Sequence, residues 1–82
     1  MSKKSIVVTN IDAAKLVQAA MRFDSKIVLV DDENKVNINA KSLMGVMVLA
    51  TKVKQDGIRL EINADGSDAE EALTAIEQYL TK

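Results

Sequence analysis

Two periodicities divide the chain. Ile58-Arg59-Leu60-Glu61-Ile62-Asn63 alternates apolar and polar residues, which predicts a strand with one buried and one wet face. Val36-Asn37-Ile38-Asn39 alternates in the same way over a shorter length. Residues 5–9 and 26–30 are rich in β-branched residues and read as two further strands. Between these runs the period becomes helical. Over 13–23, Ala13, Leu16, Val17, Ala20 and Met21 fall on one stripe, with Lys15, Gln18 and Arg22 directed elsewhere. Asn10 and Asp12 offer two possible caps for this helix. A last helix opens at Ser67 and Glu70, which have the spacing of a capping box, and turns Ala69, Ala72, Leu73, Ile76 and Leu80 inward. Asp31-Asp32-Glu33-Asn34, Lys54-Gln55-Asp56-Gly57 and Asp65-Gly66 supply the turns. The acidic first turn reads as a solvated hairpin, because it lacks the ligand spacing and glycine of a calcium loop.

The order is β-α-β-β-α-β-α. Amphipathic helices combined with strands that keep one polar face predict an α+β fold, an open-faced β-sandwich. Its four-stranded antiparallel sheet is covered on one face by three helices, and the other face is left to solvent.

The middle helix is the unusual element. It starts at Ser42, a favoured N-cap residue whose hydroxyl can accept a bond from an unpaired first-turn amide. It runs to about residue 53. Leu43, Val46, Met47 and Ala50 have the spacing of a core stripe, yet Met44 and Val48 form an i, i+4 pair on another side. A small domain has one core to offer, so a second apolar face is either covered by a loop or presented to a partner. Methionine suits adaptable protein-binding surfaces, and it also fills gaps in cores.

Composition narrows the chemistry. Eighty-two residues form one domain, 1–82, large enough to bury an aliphatic core. Eleven basic and twelve acidic residues are spread along the chain and leave a formal charge of −1, which argues against a nucleic-acid surface. No apolar run is long enough for a transmembrane helix, and the strand after Met1-Ser2-Lys3-Lys4 is too brief for a signal-peptide core. The absence of cysteine fits a cytoplasmic protein. The sequence also contains no histidine. Nitrogen and sulfur metal sites and Ser-His or Cys-His nucleophile pairs are therefore ruled out on these residues, and no acid-base set suggests an enzyme or a cofactor.

Asn39-Ala40-Lys41-Ser42-Leu43-Met44-Gly45-Val46-Met47 resembles the regulatory-serine segment of HPr, the phosphocarrier of the bacterial sugar phosphotransferase system, and of its histidine-less relative Crh. Residues 16–20 and 23–29 resemble that family's first helix and second strand. Residues 57–66 resemble its fourth strand, and 66–73 the start of its last helix. The hairpin between residues 30 and 38 is about two residues longer than usual. The resemblance fails at the phosphocarrier loop, Gly-Leu/Ile-His-Ala-Arg-Pro. Here Thr9 is followed by Asn10-Ile11-Asp12-Ala13-Ala14, without the His, Arg or Pro.

The resemblance implies an HPr-like fold and a non-enzymatic protein that does not carry phosphohistidine. It implies that Ser42 matches the serine modified by the ATP-dependent HPr kinase/phosphorylase. Lys41, Leu43, Met44, Met47 and Val48 would be the partner surface. The further partner it implies is a transcriptional regulator, catabolite control protein A, although the arginine of the missing loop helps in such contacts. The alternative is an interaction domain that keeps the fold and has lost the phosphoswitch, with Ser42 only a helix cap. The short Asn10-Ile11-Asp12 connection leaves both a monomer and a homodimer that swaps its first strand open.

Overall fold

The computed structural model describes residues 2–53 and 57–80. Its elements follow the order β1 (Ser2–Val8), α1 (Ala13–Ala20), β2 (Lys26–Asp31), β3 (Val36–Asn39), α2 (Leu43–Thr51), β4 (Ile58–Asp65) and α3 (Ala69–Gln78). The four strands form one antiparallel sheet in the order β1-β4-β2-β3. The pairing β1–β4 runs from Ser2 opposite Ala64 to Val8 opposite Ile58, and β2–β4 from Lys26 opposite Asp65 to Val30 opposite Glu61.

These registers put like faces together. Val8, Ile58, Leu60, Ile62, Ala64, Ile27, Leu29 and Ile38 all turn toward the helices and are buried. Leu16, Val17, Ala19 and Ala20 of α1, Val46 and Leu49 of α2, and Ala69, Ala72 and Ile76 of α3 complete one core. Each fully buried Leu, Ile or Val side chain contributes roughly 1.5–3 kcal/mol relative to exposure. The result is an open-faced α+β sandwich with three helices on one side of the sheet.

The strands and helices lie where the periodicity put them, but several details differ. β1 starts at Ser2, because the cross-strand partners on β4 extend to Ala64. α1 ends at Ala20, and Met21 is the C-cap and 67% exposed, so it leaves the inward stripe. Of the two candidate caps, Asp12 acts: its Oδ1 accepts from Lys15 N at 3.2 Å. The acidic turn is not fully solvated. Asp31 ends β2 buried, and its carboxylate accepts from the amides of Glu33 and Asn34 and from Asn34 Nδ2 at 2.7 Å. Lys35 closes this hairpin at φ 57.

The capping box does not form. The N-cap of α3 is Asp68, one residue beyond Ser67, and its side chain makes no bond to its own helix. It reaches across the chain to the start of β2, where Asp24 N and Ser25 N each donate at 2.9 Å and the Ser25 hydroxyl donates as well. Gly66 permits this meeting: a Cβ there would lie 2.7 Å from Ser25 Cα. The expected turn at Lys54-Gln55-Asp56 lies outside the described residues.

Candidate functional site

Chain geometry at the end of β3 presents Ser42. Asn39 makes an Asx-type turn: its Oδ1 accepts from Lys41 N and its carbonyl from Ser42 N, both at 2.9 Å. Ser42 then takes extended angles, φ −98 and ψ 108, and becomes the N-cap of α2. Its hydroxyl accepts from Gly45 N at 3.2 Å, while its carbonyl accepts from Val46 N at 3.0 Å and starts the helix. A Cβ on Gly45 would sit 3.1 Å from Ile38 Cγ2 and 3.3 Å from Ser42 Oγ. Glycine therefore lets the first turn settle onto β3 and keeps space beside the hydroxyl. No carboxylate occupies that first turn, so the helix's positive end is not already neutralised by an acidic side chain. The half-buried Lys41 extends away to the connection between α1 and β2, where its Nζ donates to the Phe23 carbonyl at 2.7 Å.

Beyond Ser42 the helix exposes apolar surface. Leu43, Met44, Met47 and Val48 are 47%, 78%, 54% and 51% exposed. With Thr51 they line an open depression of about 570 Å³. This corrects the phase expected for α2. The inward residues are Val46 and Leu49, flanked by the half-buried Ala50 and Val53, whereas Leu43 and Met47 join Met44 and Val48 outside. The spacing alone was compatible with either phase, because eight of the nine α2 residues from Leu43 to Thr51 are apolar or glycine. Ser42, Leu43, Met44, Met47 and Val48 are thereby gathered on one side of the molecule, and Lys41 joins them only through its backbone.

Two features were not anticipated from sequence. Asn39, which presents Ser42, carried a signal in its own type, since Asn favours turns of this kind. The Asp68 bridge to Ser25 carried none, because the partners are 43 residues apart. A second depression of about 410 Å³ lies where Asn10, Asp12 and Lys15 face Gln78 and Tyr79. Among the described residues its one carboxylate is Asp12, which has an oxygen occupied as the α1 cap.

The arrangement defines a class: a small α+β protein that displays a capped serine beside an exposed apolar helix face. Residues 12–82 match the family model described as the PTS HPr component phosphorylation site. The chain belongs to the HPr family of the phosphotransferase system. It is 52% identical over 66 residues to the phosphocarrier protein HPr of Treponema pallidum, which covers 80% of this chain and 69% of that one. Among solved structures, HPr from Bacillus anthracis superposes with a TM-score of 0.81 at 38% identity, covering 98% of this chain and 96% of that one. The catabolite-repression protein Crh of Bacillus subtilis, solved as an intertwined dimer with a swapped domain, gives a TM-score of 0.66 at 33% identity, covering 96% and 92%.

Proposed function

We propose that this chain is a non-catalytic, regulatory member of the HPr family. In this reading it acts through protein contacts, takes no part in phosphohistidine transfer, and is switched by phosphorylation at Ser42. The observation that carries the reading is the half-buried Ser42 hydroxyl at the start of α2, directly beside the exposed Leu43, Met44, Met47 and Val48 face. In the modification, Ser42 Oγ bonds to the γ-phosphorus of ATP, ADP leaves, and the hydroxyl proton passes to a base on the kinase. The phosphate adds about −1.5 to −2 charges. First-turn amides and the dipole favour an anion at this end, so the helix holds while the apolar face gains an anionic edge. A partner with arginines around a hydrophobic groove would distinguish the two forms.

The kinase is HPr kinase/phosphorylase, and the discriminating partner is a transcriptional regulator in carbon catabolite control. The setting is the cytoplasm of a bacterial cell. The absence of histidine from these residues supports the loss of the carrier step. The unit of action is the single domain 1–82, as a monomer or as a dimer that exchanges β1; the Crh structure, described as a dimer with a swapped domain, offers a precedent for exchange in this fold.

A second reading has one observation in its favour. Ser42 Oγ already bonds Gly45 N, and a serine kept only for that cap would belong to an HPr-fold interaction domain without the switch. Incubation with ATP and HPr kinase/phosphorylase, followed by intact mass measurement, separates the two. One added phosphate that Ser42→Ala abolishes is the expected result. No added phosphate, or phosphate unaffected by Ser42→Ala, defeats the switch.

A further inference from the structure

We infer that Lys41 carries the state of Ser42 to the connection between α1 and β2, so that a phosphate on Ser42 releases the Phe23 carbonyl. This rests on Ser42 being a modification site and says what modification does inside the molecule. Residues 21–25 are gripped from two sides. On one side Lys41 Nζ donates to the Phe23 carbonyl at 2.7 Å. On the other, the Asp68 carboxylate holds Asp24 N, Ser25 N and the Ser25 hydroxyl. The starts of α2 and α3 thus converge on the chain leaving α1.

The grips differ in kind. Asp68 gathers three donors on one carboxylate, and Gly66 packs the two segments closely. Lys41 contributes a single bond from a flexible stem to a neutral oxygen. A charge-assisted bond between ammonium and phosphate is stronger than one in which only the donor is charged. Lys41 immediately precedes Ser42, and its own backbone is fixed by Asn39 Oδ1. A compact charge on a four-carbon stem can therefore exchange one acceptor for the other. The phosphate takes the ammonium, the α2-side grip on Phe23 is lost, and the Asp68 grip stays. Because α1 packs against α2, the release alters the edge of the surface that Ser42 borders.

The test installs phosphoserine at position 42 by genetic encoding, so that no kinase is involved. Failure of Ser42 as a kinase substrate is then read independently from the mass measurement above. NMR follows the Phe23 carbonyl shift and amide exchange at 22–25 with and without the phosphate, in the wild type and in Lys41→Met and Lys41→Arg. Phosphate is expected to move the Phe23 carbonyl signal and to speed exchange at Arg22 and Phe23 several-fold, leaving Asp24 and Ser25 protected. Lys41→Met without phosphate should already show the released values and respond no further, while Lys41→Arg should respond like the wild type. A Phe23 signal indifferent to phosphate, or a phosphate effect undiminished in Lys41→Met, overturns the inference.

Discussion

At the scale of single residues, Ser42 and Asp68 show how one local motif serves different ends. Both are helix N-caps, but Ser42 bonds its own first turn and Asp68 bonds another segment. Ser42→Ala removes one N-cap bond and is expected to cost about 1 kcal/mol, measurable as a lower urea midpoint with an unchanged slope. Asp68 contributes through its charge. The Ser25 hydroxyl, and then the Asp24 amide, hold its carboxyl below the usual carboxylate range. Asn34 does the same for the buried Asp31, against the opposing effect of burial. With folded pKa values depressed, the unfolded chain binds more protons in acid. The contribution is fully present above the unfolded value near 3.9 and is lost as pH falls through the folded values. Stability should therefore decline on acidification below about pH 4, and Asp68→Asn should flatten that decline in thermal melts taken across the range. A decline as steep in Asp68→Asn as in the wild type would show that the bridge does not contribute to it. Gly66→Ala tests the same junction sterically. Its φ of +153 and the nearby Ser25 backbone should cost about 1–3 kcal/mol.

At the scale of elements, legibility followed contrast. β4 alternates cleanly, and the strand appeared with the expected residues inward. α1 carries Lys15 and Gln18, and α3 its three glutamates, away from the core, so their buried faces were readable apart from Met21. α2 lacks that contrast, since no charged residue marks its wet side, and its rotation is set by what β3 and α1 cover. Ser42 as the cap was legible because serine has a specific role there, whereas the outward turn of Leu43 and Met47 was implied by the family resemblance and not by the spacing. The corrected rotation makes a prediction. Met44→Asp changes a side chain that is 78% exposed in the first turn of a helix, where a carboxylate is favoured by a few tenths of a kcal/mol. Its melting temperature should match or slightly exceed that of the wild type and, if the face binds a protein partner as proposed, capture of that partner should be lost. Leu49→Ala, two residues beyond Met47 but wholly buried, should instead cost about 2–5 kcal/mol. Equal destabilisation by the two variants would contradict the rotation.

At the scale of the whole molecule, β1 is one of the two edge strands of the sheet. It pairs only with β4 among the described strands, and is joined to α1 through Thr9, Asn10, Ile11 and Asp12. Lys4 bridges to Glu77 on α3 at 2.6 Å, but with the lysine half exposed such a pair contributes at most about 1 kcal/mol. The buried Val8 and the register from Ser2 to Val8 hold it in place. Every one of those contacts can be made equally by β1 of a second copy, so exchange alters only the connection. Short connections bias that balance toward exchange. Lys3 and Lys4 meanwhile discourage simple edge-to-edge pairing, since charged edge residues oppose it. A dimer that forms as concentration rises is therefore expected to be an exchanged one. Light scattering over a wide concentration range should show it, and two glycines inserted after Asn10 should return the chain to monomer by letting β1 fold back on its own sheet. A chain that stays monomeric throughout, or a dimer indifferent to the insertion, would rule the exchange out.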